Sequence, residues 1–246
     1  MSTKLQGKVV CVALNDQQYL DLLTDKFQQP PHKALPTEPV LYFKPRNTWN
    51  QDNSSIDCLG DNDQLVVGAS LAVIIGQTCC RVSEESAMDY VEGLALLHDF
   101  SLPETSYYRP DIKGKCLDNS ATLSEPALLS DVADFENLEV VTSVNGSVQR
   151  SFPISRQSRS VQNLIHKISY IMTLEKGDVI AVGFAGERVE LQPNDQVTST
   201  FGDAIRLQKL SQEVSNEARK NSISTADPEC HGKRGYVGDC RVGSAY

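Results

Sequence analysis

The chain has 246 residues, 40% of them hydrophobic, enough to build a sizeable core in one domain or two small ones. Its formal net charge of -9 argues against a nucleic-acid partner, which would want a basic face, and against anionic membrane surfaces. The apolar runs stop short of the roughly 18 residues a spanning helix needs, and Met1–Lys4 lead into Val9–Leu14 without a secretory cleavage pattern. The expectation is a soluble cytoplasmic protein.

Seven cysteines, an odd number without regular spacing, fit reduced thiols better than a disulfide framework. Cys11 lies in an apolar run and reads as core. Cys116 follows Lys115, whose ammonium would favour a thiolate, but no His with Asn or Asp accompanies it. Cys230, His231 and Cys240 match no standard zinc spacing.

In chain order, Lys8–Leu14 predicts a strand and Gln17–Phe27 a short helix with Leu20, Leu23 and Phe27 on one face. Pro30 and Pro31 end that helix. Val40–Phe43 predicts a strand running into the loop Lys44–Thr48. Asn50–Asp63 is polar and reads as a loop or an exposed hairpin. Leu65–Ile75 is a β-branched, nearly continuous apolar run, the pattern of a strand buried on both faces.

Ser83 reads as an N-cap, with Glu84 and Glu85 in a first turn. Ala87, Val91, Leu94, Ala95 and His98 then recur at helical spacing, so a helix is predicted here, with Asp99 just past its end. A loop segment follows that gathers Tyr107, Tyr108, Arg109 and Lys115.

Asn119–Glu125 reads as loop. Leu138–Val144 predicts a strand, and Asn145-Gly146 a tight hairpin. Ser160–Met172 predicts a helix, with His166 beside its apolar stripe as a structural or exposed residue. Short strands follow at Val179–Gly183, Arg188–Leu191, Gln196–Thr200 and Ile205–Leu210. Beyond Ser211 strong core formers vanish, and residues 213–246 read as a disordered or loosely attached tail.

Leu65–Gly76, Val82–Asp99 and Tyr107–Lys115 resemble the fumarylacetoacetate hydrolase superfamily. So do Lys44-Pro45-Arg46-Asn47-Thr48, Val144-Asn145-Gly146 and Met172–Asp178. Within it, the likeness is to the N-terminal half of the duplicated isomerase/decarboxylases of homoprotocatechuate catabolism. It covers roughly Gly7 to Leu210.

The resemblance implies an α+β fold over residues 1–212: a mixed β-sandwich roll with flanking helices, residues 1 to about 50 packing on the roll. It implies homodimers, or a heteromer with a metal-binding homologue, and chemistry on an unsaturated oxo-dicarboxylate through an enolate. Lys115 and Asp99 are the catalytic candidates; Arg46, Tyr107, Tyr108 and Arg109 are the substrate-binding candidates.

The family's metal-binding Glu-x-Glu pair falls on Gly68 and Ser70, leaving Asp99 as the one carboxylate of that set. The family's His and Glu of the first helix fall near Tyr19 and Leu22, and its Gly-Thr-Pro turn becomes Gly183-Phe184-Ala185. A hard divalent cation wants several oxygen ligands, so Mg or Mn is expected to bind weakly or not at all, and no other cofactor is assigned. These losses disfavour hydrolysis. They leave two expectations: a decarboxylase or isomerase, or a catalytically impaired paralogue serving a metal-binding partner.

Overall fold

The computed structural model describes residues 6–50, 55–58, 64–104, 106–132 and 134–213. The chain opens with β1 (Val9–Ala13), α1 (Gln17–Phe27), β2 (Val40–Phe43), β3 (Trp49–Asn50) and β4 (Ser55–Cys58). Then come β5 (Leu65–Ile75), β6 (Val91–Ser101), α2 (Ile112–Lys115), β7 (Ala121–Leu123) and β8 (Ala127–Leu128). The hairpin β9 (Glu139–Val144) and β10 (Ser147–Pro153) precedes α3 (Val161–Ile171). The last strands are β11 (Val179–Ala181), β12 (Val189–Leu191), β13 (Gln196–Phe201) and β14 (Ile205–Glu213).

Among the described residues the strands form two sheets. The larger runs β2-β1-β11-β5-β6-β7-β3, with β12 also paired to β5 and β8 to β6; the smaller runs β10-β9-β13-β14-β4. The architecture is α+β and mostly β, as expected.

At the centre stands the antiparallel pair β5–β6, whose register sets Gly68 opposite Asp99 and Ser70 opposite Leu97. All eleven residues of β5 are buried, which is why its sequence lacks alternation. Alternate residues still face different partners. Ala69, Leu71, Val73 and Ile75 join Leu94 and Leu96 in a core shared with Phe152, Phe201 and Leu207 of the smaller sheet and with Leu164, Ile165 and Ile168 of α3. Ala72 and Ile74 pack on the opposite face with Val9, Cys11, Ala95, Leu97 and Phe184. Gly68, Ser70 and Asp99 continue that second face, so strand parity alone brings them together.

Three predicted segments change. The helix expected from Ser83 is β6, preceded by a single 3-10 turn at Ala87–Tyr90. The apolar steps from Ala87 to His98 fitted a helical period, but residues 93–101 are buried on both faces, and such a run fits any period. The cap at Ser83 is real but local, its hydroxyl accepting from Ser86 N at 3.4 Å. The loop expected at Asn119–Glu125 holds β7, where Ala121 pairs with Asp99. A short helix, α2, also forms where a loop was read, capped by Asp111.

Elsewhere the elements fall close to expectation. α1 runs over Gln17–Phe27 with Asp16 as N-cap, and α3 begins at the N-cap Ser160. The β9–β10 hairpin turns at Asn145 and Gly146, both at positive φ (50° and 82°), the two-residue geometry that Asn-Gly favours. His166 is structural, its Nδ1 2.8 Å from Val82 O. In the Asn50–Asp63 segment, Asn50 closes β3 and Ser55–Cys58 form β4, parallel to β14; residues 51–54 and 59–63 lie outside the described residues, as does the tail with Cys230, His231 and Cys240.

Leu96 is fully buried at the join between the two sheets. Leu96→Ala is expected to lower unfolding free energy by about 2–5 kcal/mol, from lost transfer energy plus the cavity left behind. Urea denaturation with an unchanged slope would register that loss.

Candidate active site

The β5–β6 register delivers Asp99 into the interior with no solvent exposure. A buried carboxylate must be paired or it will neutralise, and here it has three partners. Lys44 Nζ lies 2.8 Å from Oδ1. Arg188 Nη2 lies 2.7 Å from Oδ2. The Tyr42 hydroxyl donates to Oδ2 at 2.5 Å. Arg188 also donates through Nη1 to the backbone O of Asp99 at 2.7 Å and through Nη2 to Tyr42 Oη at 3.0 Å.

Lys44 is buried as deeply. Besides Asp99 its ammonium meets Lys115 O at 2.6 Å, Ser120 Oγ at 2.7 Å and Phe100 O at 3.3 Å. It therefore ties β2, β6 and the ends of α2 and the following loop to one point. Burial alone would raise the Asp99 pKa, but Arg188, then Lys44 and Lys115, outweigh it and hold the carboxyl well below the usual range. Burial, and next the Asp99 charge, push the Tyr42 phenol well up, so it stays protonated as a donor.

A cavity of about 560 Å³ opens beside this cluster, lined by Val40, Tyr42, Phe43, Glu104, Tyr107, Tyr108, Arg109, Ile112 and Lys115 among others. That volume suits a small-molecule ligand. A recess of about 30 Å³, lined by Asp16, Tyr19, Phe184 and Arg188, shares Ala13, Tyr42, Glu104 and Tyr107 with it.

Lys115, 5% exposed, sits on the wall of the larger cavity. Its Nζ is 3.2 Å from Glu104 Oε2 and 5.3 Å from the centre of the Tyr42 ring. Burial, then the neighbouring Arg188, lower its pKa; Asp99 and Glu104 act the other way. Burial and the hydrogen bond to Tyr19 raise the Tyr107 phenol.

Of the six residues singled out from sequence, Lys115, Tyr107, Tyr108 and Arg109 line the larger cavity. Asp99 lies behind the Tyr42 and Arg188 side chains and faces Lys44 and Arg188 rather than Lys115. It is a strand residue, not a helix-end one. Arg46 is exposed in the 3-10 turn Arg46–Thr48 and lines neither cavity. Cys116 is half-buried on the cavity wall, whereas burial pushes the Cys11 thiol up to about 12. Sequence reasoning missed Tyr42, Lys44, Glu104 and Arg188. The one usable signal was Lys44, inside a motif already picked out by resemblance.

The site does not fit a divalent ion. Both Asp99 oxygens already meet cations. Ser70 Oγ donates to Leu71 O and accepts from Gly183 N. A Cβ on Gly68 would stand 2.8 Å from the Phe184 ring and 2.9 Å from Arg188 Nη1. Among the described residues no three of His, Cys, Asp and Glu are grouped to hold a metal.

Comparison with known proteins places the chain in a family. The model for the C-terminal domain of fumarylacetoacetate hydrolase matches residues 8–215. The chain belongs to the fumarylacetoacetate hydrolase family. Over 193 residues it is 39% identical to an Escherichia coli homoprotocatechuate catabolism bifunctional isomerase/decarboxylase, a match covering 78% of the chain and 44% of that protein. It thus spans less than half the length of this relative.

It is also 30% identical over 211 residues to the Bos taurus mitochondrial oxaloacetate tautomerase FAHD1, covering 81% of the chain and 89% of that relative. Among solved structures, a 2-hydroxyhepta-2,4-diene-1,7-dioate isomerase from Mycobacterium marinum superposes with a TM-score of 0.70 at 26% identity, covering 87% of this chain and 78% of the other. The expected α+β family fold is the fold of this chain.

Asp99 generates a stability prediction with a definite pH sign. Its folded pKa lies below the unfolded value of roughly 3.9. Its contribution is therefore complete above that value and is lost as pH falls through the folded one. Asp99→Asn strands Lys44 and Arg188 in the interior and is expected to cost about 3–5 kcal/mol at neutral pH. The gap from wild type should shrink on acidification below about pH 4. Paired urea titrations at neutral and acid pH measure it; a gap that widens in acid would contradict the assignment.

Proposed function

We propose that this chain decarboxylates or isomerises an unsaturated oxo-dicarboxylate of aromatic-acid catabolism, 4-hydroxyphenylacetate-type, through an enolate. The observation that carries the reading is a buried ammonium, Lys115, on the wall of a ligand-sized cavity with a carboxylate, Glu104, 3.2 Å away. The names of the Escherichia coli relative and the Mycobacterium marinum structure support the same substrate class.

Both reactions develop negative charge on a carbonyl oxygen. In decarboxylation the electron pair of the breaking C–C bond passes to that oxygen as carbon dioxide leaves, and a proton later adds to carbon. In isomerisation a proton leaves one carbon and returns to another along the conjugated chain. Lys115 stabilises the oxyanion from a fixed, partly dehydrated position. Glu104 carries the proton, since it lines both cavities and touches Lys115. Arg109 grips a substrate carboxylate at the mouth, and Tyr107 and Tyr108 flank the chain of the substrate. Asp99 is a positioning residue that fixes Tyr42 and Arg188. Arg46 has no part in this cavity.

A second reading rests on the 44% coverage of the bifunctional relative. Here the chain is one half of an assembly whose other half is a metal-binding homologue. Co-purification of the two as a stable complex, with activity absent from this chain alone, would favour it.

The first reading predicts turnover of a conjugated oxo-dioate, followed by ultraviolet absorbance, that does not need added Mg. Lys115→Ala should lower kcat/KM by about 10²–10³-fold, with folding checked by circular dichroism. The alkaline limb of the wild-type profile should fall below the ordinary lysine value of 10.5, because burial lowers Lys115. Acylpyruvate hydrolysis should be absent. Turnover unaffected by Lys115→Ala would refute the assignment.

A further inference from the structure

Gly68 and Arg188, which meet at Asp99, take no part themselves in the proposed reaction. The Arg188 side chain is 13% exposed, and its guanidinium fills the space directly over Gly68 while gripping Asp99. A Cβ at position 68 would lie 3.2 Å from Arg188 Cζ and 2.9 Å from Nη1, so the bare glycine leaves the guanidinium room where it grips Asp99. This is the place that the family resemblance reserves for a cation held by carboxylates. The chain fills it with a cation of its own.

The charges around it do not balance. Lys44, Lys115 and Arg188 bring three positive charges, and Asp99 and Glu104 bring two negative ones. Asp16, on the far wall of the recess, is neutralised by Arg156 at 2.8 Å. One positive charge is left over in a poorly hydrated corner, an arrangement that favours an anionic ligand. The recess that Arg188 lines holds about 30 Å³, more than the roughly 10–15 Å³ that one water-sized group needs. It admits the head of a carboxylate or an enolate oxygen, and the rest of a ligand must occupy the larger cavity next to it.

We propose that Arg188 is a resident cation that replaces a divalent metal in this site and receives an anionic oxygen of the ligand in the recess behind Tyr42 and Tyr107. The inference shares its cavity with the proposed reaction, but it concerns binding, and a chain without turnover would still show it. Two consequences follow from the same atoms. Metal-free protein binds a small dianion, and a carboxylate placed at position 68 competes with Arg188 for the same space.

Titration calorimetry of the EDTA-treated full chain with oxalate tests the first consequence. Wild type should bind oxalate one to one, with an affinity that added Mn²⁺ leaves unchanged. Arg188→Met should weaken it by about tenfold or more, the loss of a charge-assisted contact. Arg188→Lys keeps the charge without the planar fork, and should fall between the two and guard against a misfolded Met variant.

Electron paramagnetic resonance of Mn²⁺ tests the second. The triple variant Gly68→Glu, Ser70→Glu, Arg188→Ala should gain a bound Mn²⁺ signal that wild type lacks. The proposal is overturned if wild-type oxalate binding is absent or requires Mn²⁺. It is equally overturned if folded Arg188→Met and Arg188→Lys both bind oxalate as wild type does.

Discussion

The Asp99 carboxylate, sealed from water between Lys44 and Arg188, is the constraint on which the site depends. Isolated, each of these groups would cost several kcal/mol to bury. Together they hold one another charged, and each is anchored in a different part of the chain. Lys44 follows the end of β2, Asp99 lies near the end of β6 and Arg188 sits at the entry to β12. The cluster therefore fixes the relative positions of the edge and the middle of the large sheet. Tyr42 adds a fourth group: its hydroxyl donates to the carboxylate and accepts from the guanidinium. Its ring then forms the floor shared by both cavities.

That dependence separates residues on the cavity wall from residues that place them. Lys115 and Glu104 face the cavity, while Asp99 does not. Yet the main-chain oxygen of Lys115 is held at 2.6 Å by Lys44 Nζ, so the position of the ammonium on the cavity wall is set through the buried ion pair. A change at Asp99 would displace Lys44 first and Lys115 next. Loss of function in such a variant would say nothing about direct contact with substrate.

How far the sequence revealed this differs from residue to residue. β5 was legible because eleven buried positions leave an unbroken apolar signature. α1 and α3 were legible because their periods and their caps, Asp16 and Ser160, agree. β6 was misread because its residues are buried on both faces, and nothing within the segment reports the pairing with β5 that makes it a strand. Asp99 and Lys115 were found through motifs. Arg188 and Tyr42 are 146 residues apart, and Lys44 and Ser120 are 76 apart. No local pattern records such meetings; they arise only when the register of β5, β6 and β12 is set.

Gly68 shows why the missing glutamates and the extra arginine belong to one arrangement. The same strand position can carry a carboxylate that reaches inward, or it can carry nothing and let a guanidinium in from β12. The two compete, because a Cβ at position 68 would stand 2.9 Å from Arg188 Nη1 and the guanidinium would have to shift. In this chain the Ser70 hydroxyl is likewise spent on backbone groups. The site is thus a closed electrostatic solution, with Asp99 satisfied by side chains and the surplus positive charge left facing the recess. An empty metal site would have left a buried carboxylate seeking a partner. Asp99 has its partners in Lys44 and Arg188, which is what the proposed exchange of a metal for Arg188 requires.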